Sequence, residues 1–232
     1  MTWSSTRAVL AAAAMTLGPA SPALAQAALG LGRDATGLRL EVPAYPQLVR
    51  VPGHPVHYDP SGSSNYFFYD GLFWVYRDDA WYSSAWYNGP WQGTEPDQVP
   101  LSLLRVPLRY YRQPSLAFSG WRPEASPRWG LRWGPEWARR HPGWDRFDRR
   151  GAPPPAPLPA YQQAFRGDRY PWSAEQQYAL RARNYRYAPL EPFSRERLEI
   201  HERGQAARAS TELRGGPDGL VRRHRQAEHT LP

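Results

Sequence analysis

Between Trp121 and Arg150 five tryptophans, Trp121, Trp129, Trp133, Trp137 and Trp144, alternate with Arg122, Arg128, Arg132, Arg139, Arg140 and Arg146. An aromatic face attracts a guanidinium group. A guanidinium fork in turn suits phosphate and carboxylate oxygens. The pattern therefore marks Trp129, Trp133, Trp137, Arg128, Arg132, Arg139 and Arg140 as candidate binding residues for an anionic ligand. A structural reading stands beside it: the same tryptophans could staple this stretch onto an aromatic sheet. The two readings are compatible, and the spacing does not choose between them.

Other reactive residue types lack the setting that chemistry needs. His54 and His57 lie three apart, a metal-ligand spacing on a helix, but Pro55 argues against a helix there. In extended chain two such rings point to opposite faces, so no metal site is expected. Asp70, Asp78 and Asp79 fall where turns are expected, and turn aspartates serve their own backbone. Ser83-Ser84 has no nucleophile elbow around it. Phosphate loops, dinucleotide fingerprints and zinc-protease helices do not occur, and there is no cysteine. The expectation is a protein that is not an enzyme and uses no cofactor.

The elements that must position these residues start at Tyr66. Residues 66–91 read YFFYDGLFWVYRDDAWYSSAWYNGPW, an aromatic run cut at short intervals by Asp-Gly, Asp-Asp and Asn-Gly. This predicts an antiparallel β-meander. A two-residue Asp70-Gly71 loop sets Tyr69 against Leu72, Phe68 against Phe73 and Phe67 against Trp74. An Arg77-Asp78-Asp79 loop would set Tyr76 against Ala80, Val75 against Trp81 and Trp74 against Tyr82. On that register Phe67, Trp74 and Tyr82 share a face, and Trp74 with Tyr82 becomes a candidate aromatic groove of SH3-like type. Neither face is polar, as a half-exposed sheet would require. Cover is offered by Val99 to Pro107, where Pro100 suits a helix start and Pro107 ends it. Leu101, Leu104 and Leu108 repeat at the spacing of one helical face.

The fold class expected is mainly β: a small antiparallel meander, SH3-like or open, with one short covering helix. Along the chain, 1–25 reads as a signal peptide, 26–44 as a linker, 45–113 as the meander module and 114–150 as a Trp/Arg-rich extension. The remainder, 151–232, reads as a Pro-rich linker and a largely disordered basic tail. The signal reading rests on Arg7, the apolar run Ala8 to Leu17 and the small-x-small site Ala23-Leu24-Ala25, which place cleavage near Ala25-Gln26. That run is shorter than the roughly 20 residues a membrane span needs, and no transmembrane segment is expected. In the tail, Ser173 with Gln176 forms a capping-box pattern, and Ser194 could cap residues 195–201. Neither segment carries a sizeable apolar face, so both are expected to be marginal. All 29 basic residues are Arg, and the excess lies late: residues 114–232 hold 21 Arg against 13 acidic residues.

Taken together, these motifs resemble a group of exported Gram-negative envelope proteins. They share a Tyr-rich strand with Asp-Gly, a W-Y-x-S-x-W-Y-N-G-P-W stretch, a V-P-x-x-L-L-x-V-P segment and Trp-Gly repeats. Here these are Tyr66 to Trp91, Val99 to Tyr111 (the segment running on into Arg109-Tyr110-Tyr111) and Trp129 to Gly134, although Arg128 stands before Trp129 where the repeats carry a Tyr. The resemblance covers about residues 45–150 and implies secretion or a periplasmic location, with no activity attached. The expected partner is an anionic envelope polymer (lipopolysaccharide, peptidoglycan or lipid headgroups) or a periplasmic protein. An exported protein rarely meets nucleic acid, so none is expected. The alternative function is an SH3-like peptide- or ligand-binding accessory domain.

Overall fold

A computed structural model describes residues 40–199. The predicted signal peptide, most of the linker and residues 200–232 lie outside the described residues. The fold is mainly β. Six strands, β1 (Val49–Arg50), β2 (His57–Tyr58), β3 (Asn65–Tyr69), β4 (Leu72–Arg77), β5 (Ala80–Ser84) and β6 (Gln92–Thr94), follow one another as an open antiparallel meander. The lead-in around Leu48 to Val51 supplies an edge strand. It pairs with β2 and extends the sheet beyond the aromatic run.

The first central hairpin has the expected register: Tyr69 opposite Leu72, Phe68 opposite Phe73, Phe67 opposite Trp74. Asp70 and Gly71 take φ of 52° and 84°, as a type I′ turn demands. The second hairpin differs by one residue. Arg77 pairs with Ala80, Tyr76 with Trp81 and Val75 with Tyr82. The loop is Asp78-Asp79 alone, both with positive φ, 51° and 59°. Aspartate tolerates this left-handed region better than most residues, so two acids suffice where three residues were expected. A one-residue slip exchanges faces. Trp81, not Tyr82, joins Phe67 and Trp74, and Tyr82 belongs to the opposite face.

Both faces are covered by the chain itself. The front face (Phe67, Tyr69, Leu72, Trp74, Tyr76 and Trp81) packs against α1 (Leu101–Leu104), α2 (Trp129–Trp133) and α3 (Pro135–Arg140). As expected, α1 starts after Pro100, but it stops at Arg105, ahead of the Pro107 expected to end it; it is a single turn. Leu103 and Leu104 are buried while Leu101 is only partly so, and Leu108 sits in a separate 3-10 turn.

The back face (Tyr66, Phe68, Phe73, Val75, Trp86, Tyr87 and Trp91) packs against Ala156, Tyr170 and partly buried residues of segment 151–187. This departs from the sparse packing expected beyond Gly151. The segment contains α4 (Ala174–Asn184), capped by Ser173, whose Oγ accepts from Gln176 N at 3.2 Å. Beside these apolar contacts, it docks through polar groups. Gln177 Nε2 donates to Gly89 O (3.1 Å) and Pro171 O (2.8 Å). Gln162 Nε2 donates to Ala85 O (3.0 Å) and its Oε1 accepts from Tyr87 N (3.1 Å). The Tyr170 hydroxyl donates to Gly89 O (2.7 Å).

The chain then turns round the Asp70-Gly71 end and enters α5, described over 192–199. Here Phe193 packs on Trp74 and Leu198 is buried in the front core. Ser194 is not the cap expected; it lies inside α5, buried. Asp70 supplies the cap instead, its carboxylate accepting from Leu190 N and Glu191 N. Residues 141–199 thus belt the sheet from front to back and to the front again. Fully burying one large apolar side chain is worth about 1.5–3 kcal/mol, so two aromatic layers offset the ordering of this long belt. The sheet edges are short. Arg197 reaches over β6, donating to Gly93 O at 3.3 Å and to Gln92 Oε1, a means of blunting an edge.

Candidate functional site

The Trp/Arg segment resolves into an inner aromatic layer and an outer charged one. Arg128 ends an extended approach and α2 follows at once, so Trp129 and Trp133, four apart, fall on one side of the helix. Gly134, at φ 90°, breaks the helix, and Pro135 begins α3. Trp129 is buried against Tyr76, Trp81 and Phe118, with ring centroids 5.4–6.0 Å apart. Its indole N–H donates to Leu104 O at 2.8 Å. Trp133 stacks on Trp129 at 4.5 Å and meets Trp137 edge-on at 4.7 Å. Trp137 is buried, donates to Pro96 O at 3.2 Å and carries His141 stacked at 4.4 Å. The glycine after Trp129 has a packing reason: a Cβ at Gly130 would lie 2.7 Å from Trp144 Cζ2.

The three candidate tryptophans are therefore brought together, but as the cap on the front face. Trp74 belongs to the same core, fully buried, its indole donating to Tyr69 O at 3.2 Å. Tyr82 lies on the back face. The groove expected between Trp74 and Tyr82 is not formed, because the β4–β5 register separates them.

The four candidate arginines lie outside, all exposed. Arg132 pairs with Asp79 at 3.0 Å, Arg140 with Asp97 at 2.9 Å, and Arg139 with Glu136 one turn away. Exposed pairs of this kind contribute about 0–1 kcal/mol and leave guanidinium edges open to solvent. Asp79 is the hub that the residue pattern concealed, because its turn position explained it too easily. Its Oδ1 accepts from Ser115 Oγ (2.6 Å) and Tyr76 Oη (2.9 Å), while Oδ2 faces Arg132. These bonds, from Ser115, then Tyr76 and Arg132, hold its carboxyl below the usual carboxylate range. Burial, and then the neighbouring Asp79, pushes the Tyr76 hydroxyl above its ordinary value.

An open cleft of about 400 Å³ runs beside this hub, between the β4–β5 turn and Leu116. Its buried amide is committed: Asn65 Nδ2 donates to Tyr76 O and Gln113 O, and its Oδ1 accepts from Gln113 N. Among the described residues no group of three or more His, Asp or Glu could hold a metal ion. No described helix is long and apolar enough to cross a membrane. Comparison with protein-family models, with curated proteins and with solved structures gives no match for this chain.

Proposed function

We propose that this chain is a non-enzymatic, exported module of the cell envelope that binds anionic envelope material through guanidinium groups. One observation carries the reading: α2 and α3 bury Trp129 and Trp137 and present Arg128, Arg132, Arg139 and Arg140 to solvent. The tryptophans act by fixing a short, otherwise weak helical pair on the sheet. The arginines act by charge, and phosphates of lipopolysaccharide or lipid headgroups and carboxylates of peptidoglycan offer the matching acceptors. The resemblance to exported envelope proteins and the signal-like first 25 residues supply the compartment.

The test is retention of the mature protein on purified sacculi, outer-membrane vesicles and lipopolysaccharide over a salt series. Retention at low salt that fades as salt rises is expected, because exposed charge contacts are screened over about 8 Å at physiological ionic strength. The reading fails if no fraction retains the protein at low salt.

A further inference from the structure

His54 lies in the β1–β2 connection, where its backbone N–H donates to Val51 O at 3.0 Å and its carbonyl accepts from Arg50 Nε at 2.9 Å. The residue is 5% exposed, and its Nδ1 is buried without a hydrogen-bond partner. The ring lies flat on Phe147, centroids 3.7 Å apart and planes 7° from parallel. Phe147 belongs to residues 143–151, the crossover that takes the chain from the front layer to the back one. Three other contacts hold this crossover. Arg105 donates to Gly143 O with Nε at 2.9 Å and with a terminal nitrogen at 2.5 Å. Trp144 packs on Gly130, and Arg149 lies over Gly53 so closely that a Cβ there would meet its Nε at 2.9 Å.

We propose that the His54–Phe147 stack is an acid-sensitive clasp: protonation of His54 frees the crossover from the β1–β2 connection while the sheet stays folded. A proton arriving on Nδ1 creates a buried donor with no acceptor and a charge beside the Arg149 guanidinium of the crossover, while Arg50 on β1 is turned to the His54 carbonyl. Asp148, next to Phe147, turns its Oδ1 to Arg150 N in its own turn. The Phe147 face attracts a cation. Burial first, then the Arg149 charge, lowers the His54 pKa to about 4. Exposing the ring to water relieves both penalties, and Phe147, the ring that lies flat on it, belongs to the crossover. The proposal is independent of what the arginine face binds.

The experiment is a pH titration of the full mature chain by NMR, following the His54 ring and the backbone amides. The His54 midpoint is expected near 4, with the amides of residues 145–150 moving at that midpoint and those of Phe67 and Trp74 unmoved. In His54→Phe, which keeps a flat ring, the crossover amides should lose that transition. In Phe147→Leu, the His54 midpoint should rise towards the ordinary histidine value. The clasp is overturned if His54 titrates at its ordinary value, if it titrates without moving the crossover, or if the sheet amides collapse at the same midpoint.

Discussion

The carboxylate of Asp70 accepts the backbone N–H of Glu191 at 2.9 Å across 121 residues of chain. The same carboxylate accepts Leu190 N (2.8 Å) and the Tyr187 hydroxyl (2.8 Å). Next to it, the Tyr69 hydroxyl donates to Glu191 Oε1 at 2.8 Å. A residue needed for the β3–β4 turn thus also caps the final described helix, and the β3–β4 hairpin and the last described part of the belt are joined at one point.

Asp70→Asn tests that junction. Asparagine tolerates the positive φ of the turn, so the hairpin should persist. One of the two acceptor oxygens is lost, and cap replacements cost about 0.5–2 kcal/mol. Hydrogen exchange should quicken in residues 187–199 while β3 and β4 stay protected. Unchanged exchange in that segment would show that the cap contributes nothing.

The belt itself predicts a cleavage pattern. Residues 148–151 are exposed, with Arg149 and Arg150 adjacent, whereas Ala156, Gln162, Tyr170 and Gln177 are buried. Among the described residues, an Arg-specific protease should cut first at 149–150. The piece carrying α4 should nevertheless remain with the sheet on gel filtration and separate only in denaturant. Release of that piece under native conditions would mean that the back-face contacts are too weak to hold it.

Asp79 gives the pH dependence of the hub. Its folded pKa lies below the ordinary 3.8 because of Ser115, Tyr76 and Arg132. Between that depressed value and 3.8 the unfolded chain binds more protons, so stability rises with pH across this window. The contribution is complete above the ordinary value and is lost as pH falls through the folded one. Asp79→Asn keeps a residue suited to φ 59° and removes the titration. Its stability deficit should be present near neutral pH and shrink in acid. An equal deficit at both pH values would exclude the carboxylate charge as the cause.

What the residues disclosed and what they hid have separate physical reasons. Asp70-Gly71 fixed its register because only a few residue pairs accept two positive φ angles. Asp78-Asp79 is the same device in a less expected pair, and reading Arg77 into the loop displaced Tyr82 to the wrong face. The Trp129 layer was legible as a candidate cap, but its equivalence with a ligand platform could be broken only by burial. The back-face belt was hidden for another reason. A pattern search for apolar stripes passes over Gln162 and Gln177, whose hydrogen bonds reach 75 and 88 residues back to the sheet. The distant cap from Asp70 left no local mark at all, and Ser194 looked the better candidate.

The front layer separates stability from binding. Trp129 is fully buried and its indole N–H is satisfied by Leu104 O. Trp129→Ala should therefore cost about 3–5 kcal/mol, as for a large aromatic removed from a core. At a temperature where the variant is still folded, its retention on envelope fractions should keep the salt dependence of the parent. The fourfold change of Arg128, Arg132, Arg139 and Arg140 to Gln should do the reverse. Exposed ion pairs contribute about 0–1 kcal/mol each, so the melting temperature should move little, while salt-dependent retention should largely disappear. Calorimetry and a salt-series retention assay on the same two variants decide the matter. A Trp129→Ala protein that stays folded yet loses retention would make the indole a ligand contact. A Gln variant that binds as before would move the anion site away from α2 and α3.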